Sequence, residues 1–131
     1  MKKLYLLLLV VTLCLTGCQT VSTKQGKNYD YTVVSREDIP EELKEQIETH
    51  KMNPFQLSMT DGEYLYIIVG YGEQKTGGYS IQVEGLYEKG EDLCFSTSLI
   101  GPEEGKIVAG KKSYPYIVVK TEIIEKNIVY E

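Results

Sequence analysis

Apolar residues fall along this chain in three patterns, and each predicts a different element. Tyr64-Leu65-Tyr66-Ile67-Ile68-Val69 is a continuous apolar run, long enough for a strand buried on both faces. Tyr79, Ile81 and Val83 alternate with Ser80, Gln82 and Glu84, the period of a half-buried strand. Leu93, Phe95, Thr97 and Leu99 alternate with Cys94, Ser96 and Ser98 and predict a third strand of the same meander. Leu43 and Ile47 stand four apart, with Met52 further along the same apolar side. That spacing predicts one helix over Pro40–Lys51. Pro40 suits a first turn, Glu41 and Glu42 meet the positive end of the helix dipole, and Asn53-Pro54 stops it.

The remaining elements are weaker. Tyr31-Thr32-Val33-Val34 predicts a first, edge strand, and Tyr116-Ile117-Val118-Val119 a central one with Pro115 just before it. Phe55–Gly62 reads as a connection with a turn at Asp61-Gly62, and Lys89-Gly90-Glu91-Asp92 as a second turn. Ile100–Lys112 is a long connection with Ile107-Val108 pinned to the core. Ile123-Ile124 and Ile128-Val129-Tyr130 extend the sheet past a turn near Lys126-Asn127. One helix followed by adjacent strands predicts an α+β fold with a largely antiparallel sheet and one packed N-terminal helix, about residues 40–51.

The stretch Gly70–Ile81 organises this pattern. It joins the two strongest strand signals through Gly72, Gly77 and Gly78, and Gly77-Gly78 can reverse the chain where other residues would be strained. Two readings stand: a hairpin loop and nothing more, or a surface loop presenting Lys75, Thr76 and Tyr79 to a partner.

The N-terminus changes the picture of where the domain works. Met1-Lys2-Lys3 is a basic n-region, and Leu4–Leu15 is an apolar stretch too short to span a bilayer. Leu15-Thr16-Gly17-Cys18 follows the bacterial lipobox pattern. The lipoprotein signals it resembles imply cleavage after Gly17 and a diacylglycerol thioether on Cys18. Each buried CH₂ contributes about 0.8 kcal/mol, so acyl chains on one residue suffice as an anchor. The expected organisation is signal peptide 1–17, lipidated Cys18 with a flexible polar tether over 18–29, and one domain over 30–131. The expected location is the bacterial cell envelope, with the domain anchored on the extracytoplasmic side of a membrane.

Charge and composition then exclude several functions. The net charge is −5, and loss of Lys2 and Lys3 with the leader takes it to −7. Arg36 is the sole arginine, and no basic stripe exists, so nucleic acid is not an expected partner. His50 is the sole histidine; it reads as a solvated residue at the helix end, and neither a Ser-His-Asp arrangement nor a histidine metal cluster can be assembled elsewhere. Gly70-x-Gly72 runs on to Lys75, which breaks the dinucleotide pattern, and no phosphate loop ends in Gly-Lys-Ser/Thr. Glu41/Glu42 and Glu103/Glu104 read as solvated pairs. No catalytic, cofactor or metal site is expected. After processing, Cys94 stands without a disulfide partner and reads as a buried thiol, with a reactive thiol as the other reading. Eleven tyrosines against two phenylalanines set Tyr71, Tyr79, Tyr114 and Tyr116 beside the loops, either as sheet residues with edge-exposed hydroxyls or as binding residues.

Gly72–Ile81, with Thr76-Gly77-Gly78-Tyr79 at its centre, resembles the signature of the PrcB C-terminal domain family. Pro102-Glu103-Glu104-Gly105 and Ser113–Val119 resemble the family's second half, and the likeness covers roughly Pro40 to Thr121. The family is named after a lipoprotein subunit that binds and stabilises a surface protease and is not known to be catalytic. The resemblance implies a membrane-anchored binding module for another envelope protein, with a protease as the partner the family suggests, and with Lys75, Thr76, Gly77, Gly78, Tyr79, Tyr114, Pro115 and Tyr116 as candidate contact residues. Thr76–Tyr79 is also similar to the threonine-glycine-tyrosine loop of chagasin-type cysteine-protease inhibitors, which implies an inhibitor as the alternative. An enzyme using an unrecognised carboxylate site is a third reading.

Overall fold

The computed structural model describes residues 25–104 and 110–131. The signal peptide, Cys18, the tether as far as Lys24 and Ile107-Val108 lie outside the described residues.

The described residues form eight strands, one α-helix and a short 3-10 turn at Arg36–Asp38: β1 (Gln25–Asn28), β2 (Thr32–Val33), α1 (Glu41–His50), β3 (Pro54–Thr60), β4 (Leu65–Tyr71), β5 (Ser80–Lys89), β6 (Asp92–Ile100), β7 (Tyr116–Thr121) and β8 (Ile128–Tyr130). They form two four-stranded sheets, ordered β1-β5-β6-β8 and β2-β7-β4-β3. All pairings are antiparallel except β6 with β8, which is parallel.

β4 shows why the chain layers as it does. Leu65, Ile67 and Val69 project from one face into a core shared with Val119 and with Leu86, Leu93 and Phe95 of the other sheet. Tyr66 and Ile68 project from the opposite face into a second core with Val118 and with Ile39, Leu43 and Ile47. The order is therefore sheet, sheet, helix, and the middle layer has no solvated face along β4. An uninterrupted apolar run is the sequence signature of that position. The predicted Leu43/Ile47 stripe is the buried face of α1.

Several expectations are corrected. The meander is broken between β4 and β5: these strands lie in different sheets, so the glycine-rich stretch is a crossing from one layer to the other and not a hairpin loop. Hairpins form instead at β3–β4, turning at Asp61-Gly62 with Gly62 at φ +91°, and at β5–β6, closed at Gly90 with φ +63°. Phe55–Thr60 is strand β3, not a connection, with Phe55, Leu57 and Met59 turned towards the helix-side core. Gln25–Asn28, read as tether, pairs with β5. Met52 lies beyond the helix and is 52% exposed, because Asn53 N–H bonds to His50 O and turns the chain away. Ile123 is exposed and outside the sheet, and only Ile128–Tyr130 extends it. β5 begins with the predicted alternation, but the register slips between Val83 and Gly85. That extra residue moves the inward phase from Val83 to Leu86, so both reach the same core.

Candidate partner-binding surface

The crossing begins where β4 leaves its sheet. Tyr71 N–H donates to Pro115 O at 3.0 Å, and the Tyr71 and Thr97 hydroxyls hydrogen bond at 2.7 Å, tying the second sheet to the first. Gly72 turns the chain with φ +77°. A Cβ there would meet Pro54 Cδ at 2.8 Å and Pro54 N at 2.9 Å, so the position excludes any side chain. Glu73 N–H donates to Met52 O at 3.2 Å. These contacts seat the loop on the end of α1 and the start of β3.

The loop is then joined to the segment before β7. Gln74 and Ser113 exchange both backbone hydrogen bonds, at 2.8 and 3.0 Å. Ser113 Oγ donates to Thr76 O at 2.6 Å, and Lys112 Nζ lies 2.5 Å from Glu73 Oε1. That carboxylate raises the pKa of the Lys112 amine. Gly78, at φ +85°, directs the chain into β5. Gly77 needs no such conformation, so of the predicted glycine pair one residue makes the turn.

The structure thus places two sequence-distant segments, 72–79 and 112–116, side by side. Lys75 and Gly78 are exposed; Thr76, Gly77 and Tyr79 are half-buried. The Tyr79 ring lies beside Gly101, whose absent Cβ would be 3.4 Å from it. Tyr114 is half-buried under the Lys51 amine, 5.3 Å from its ring centroid. Pro115 precedes β7, as predicted, and supplies a carbonyl to Tyr71. Tyr116 packs against the helix-side core with Arg36 5.5 Å from its ring centroid. The backbone pairing brings Lys75 and Thr76 beside Ser113 and Tyr114, while Tyr79 lies against Gly101 and Tyr116 is committed to packing.

Two exposed apolar residues at this end were missed. Ile100, 45% exposed, pairs with Ser80 at the mouth of β5, and Met52 flanks Glu73. The only signal for Ile100 was its place one residue past the predicted end of β6.

Other titratable groups have structural explanations. His50 is exposed, with Nδ1 2.8 Å from Gln46 O. Cys94 is fully buried, and that burial pushes its thiol pKa up, which leaves it a poor nucleophile at neutral pH. Glu131 is held below the usual carboxylate range, first by Lys89. Among the described residues no group of three or more His, Cys, Asp or Glu side chains is placed to hold a metal ion.

Residues 65–122 match the family model described as PrcB C-terminal. The match starts at Leu65, so α1 and β3, which the resemblance was expected to cover, fall outside it. It contains the whole crossing and the segment joined to it. No curated protein and no solved structure matches the chain.

Proposed function

We propose, from the PrcB C-terminal domain carried by residues 65–122, that this protein is a non-catalytic binding module that holds an envelope protease. It is anchored to a membrane through a lipidated Cys18 and meets its partner through the surface at Lys75, Thr76, Tyr79 and Tyr114. The observation that carries this reading is the Gln74–Ser113 bridge. It fixes the loop Gly72–Tyr79 against Lys112–Tyr114, ahead of the point where Tyr116 enters the helix-side core. Fixed backbone lowers the ordering cost of association, and half-exposed tyrosines supply contact area with little rotamer entropy to lose. Ile100 and Met52 add apolar area to the same end.

The test has two parts. Cys18→Ser should abolish fatty-acid labelling and release the protein from membranes; unchanged labelling would remove the anchor from this account. Deleting the protein should lower the yield of the co-purifying protease, and adding it back should restore that yield without slowing turnover. Slower turnover on addition would establish the inhibitor alternative instead.

A further inference from the structure

Among the described residues four strands form the edges of the two sheets, and three of them are short or irregular. The described part of β1 shifts in register between Gln25 and Asn28, β2 has two residues, and β8 has three. β3 is different. It pairs with β4 over seven residues in unbroken register, and Pro54–Thr60 contains no charged side chain. Long, regular, uncharged edges are what folded proteins ordinarily suppress, because the free backbone groups template another strand.

The free groups on β3 can be identified. Tyr71 N–H bonds across to the β7 side, at Pro115. Antiparallel bonding alternates, so Val69 and Tyr71 serve β7 while Tyr66, Ile68 and Gly70 serve β3. Their partners Met59, Leu57 and Phe55 are thereby satisfied. Gln56, Ser58 and Thr60 direct both N–H and C=O outward, as Pro54 does its C=O. Proline at an outward position costs no ladder bond, which agrees with this phase.

A groove of about 550 Å³ lies between the two sheets beside this edge. Val69 and Tyr71 line it from β4, Pro54 and Gln56 from β3, and Thr97, Tyr130 and the acidic Glu131 from the side of the first sheet. A strand added to β3 would turn alternate side chains towards that groove.

We propose that β3 is a docking edge for an extended segment of a partner protein. Its backbone pairs with Gln56, Ser58 and Thr60, and one large apolar or aromatic side chain enters the groove. A second copy of this chain fits less well. Its own β3 would offer uncharged polar Gln56 and Ser58 to the groove mouth, and it would bring together two molecules of net charge −5. This edge is separate from the loop surface, and its test does not depend on the loop.

The full chain, ¹⁵N-labelled, is titrated with a seven-residue threonine/valine peptide bearing a central phenylalanine and a terminal lysine. The amides of Gln56, Ser58 and Thr60 should shift and gain protection. N-methylation of the peptide's pairing amides should weaken binding about tenfold or more, and N-methylation of the alternate amides should leave it unchanged. Ser58→Pro should abolish binding and keep the cooperative melt, because that N–H points outward. No shift at these amides up to millimolar peptide, or equal losses from both methylation patterns, would overturn the proposal. A reversible dimer in sedimentation that Ser58→Pro dissociates, without peptide binding, would overturn it in favour of a second copy.

Discussion

β4 and the crossing that follows it adjoin in sequence and are held by opposite means. Along β4, Leu65–Val69 bury every side chain, alternately into the sheet–sheet core and the helix-side core. From Gly72 to Tyr79 the apolar contribution is small. The chain is positioned by hydrogen bonds to Met52 and Ser113, and by glycine at two left-handed turns. Burial of that kind is costly to disturb at any position. A loop held by its backbone tolerates changes to its side chains, provided the glycines remain. Side chains that stability does not constrain are those available for recognition.

The largest effects should come from the cores. Phe95→Ala, at a fully buried position, should cost about 3–5 kcal/mol, and Leu43→Ala about 2–5 kcal/mol in a denaturant titration. Glu45→Ala, on the exposed face of α1, should cost under about 0.5 kcal/mol. Equal losses from Leu43→Ala and Glu45→Ala would show that the helix does not pack as described.

Next come the glycines that shape the crossing. Gly78→Val should cost about 1–3 kcal/mol from backbone strain alone. Gly72→Val should cost more, because its Cβ would also strike the backbone nitrogen of Pro54. Thermal melts rank the two; a harmless Gly72→Val would mean that the loop is not seated on β3.

A smaller effect should appear in acid. Asp61 accepts N–H bonds from Tyr64 and Glu63, at 2.7 and 2.9 Å, and these hold its carboxyl pKa down. Glu88 and Glu131 are lowered too, first by the Tyr29 hydroxyl and by Lys89 respectively. A carboxylate whose folded pKa is depressed contributes stability above its unfolded pKa, about 4, and loses it as pH falls through the folded value. The melting temperature should therefore be level near neutrality and fall below about pH 4. Asp61→Asn keeps an acceptor oxygen but cannot titrate, so it should flatten part of that fall. An unchanged acid limb in this variant would remove Asp61 from the account.

Much of the cores was legible in the sequence. The apolar run of β4 and the Leu43/Ile47 spacing have one physical solution each, a doubly covered strand and an amphipathic helix. Pairing between sheets was not legible. The glycine-rich stretch from Gly72 to Gly78 can close a hairpin or cross between layers, and both place the same residues at a turn. β3 carried a readable alternation, Phe55, Leu57 and Met59 against Gln56, Ser58 and Thr60. Pro54 hid it, because proline there ends the helix and also begins an edge strand. The candidate surface was half legible. The loop and the Ser113–Tyr116 segment stand out by residue type, but their union through the Gln74–Ser113 bridge is a long-range contact that local pattern does not encode.

The most direct test of the account is a pair of measurements on one variant. Lys75→Ala combined with Thr76→Ala removes two loop side chains while leaving the glycines, the Gln74–Ser113 bridge and both cores in place. Each change should alter stability by less than about 0.5 kcal/mol, so the melting curve should superimpose on that of the parent. Capture of the proposed protease partner from native membranes should weaken. A superimposable melt with full capture would contradict the account and leave the crossing a purely structural connection between the two sheets.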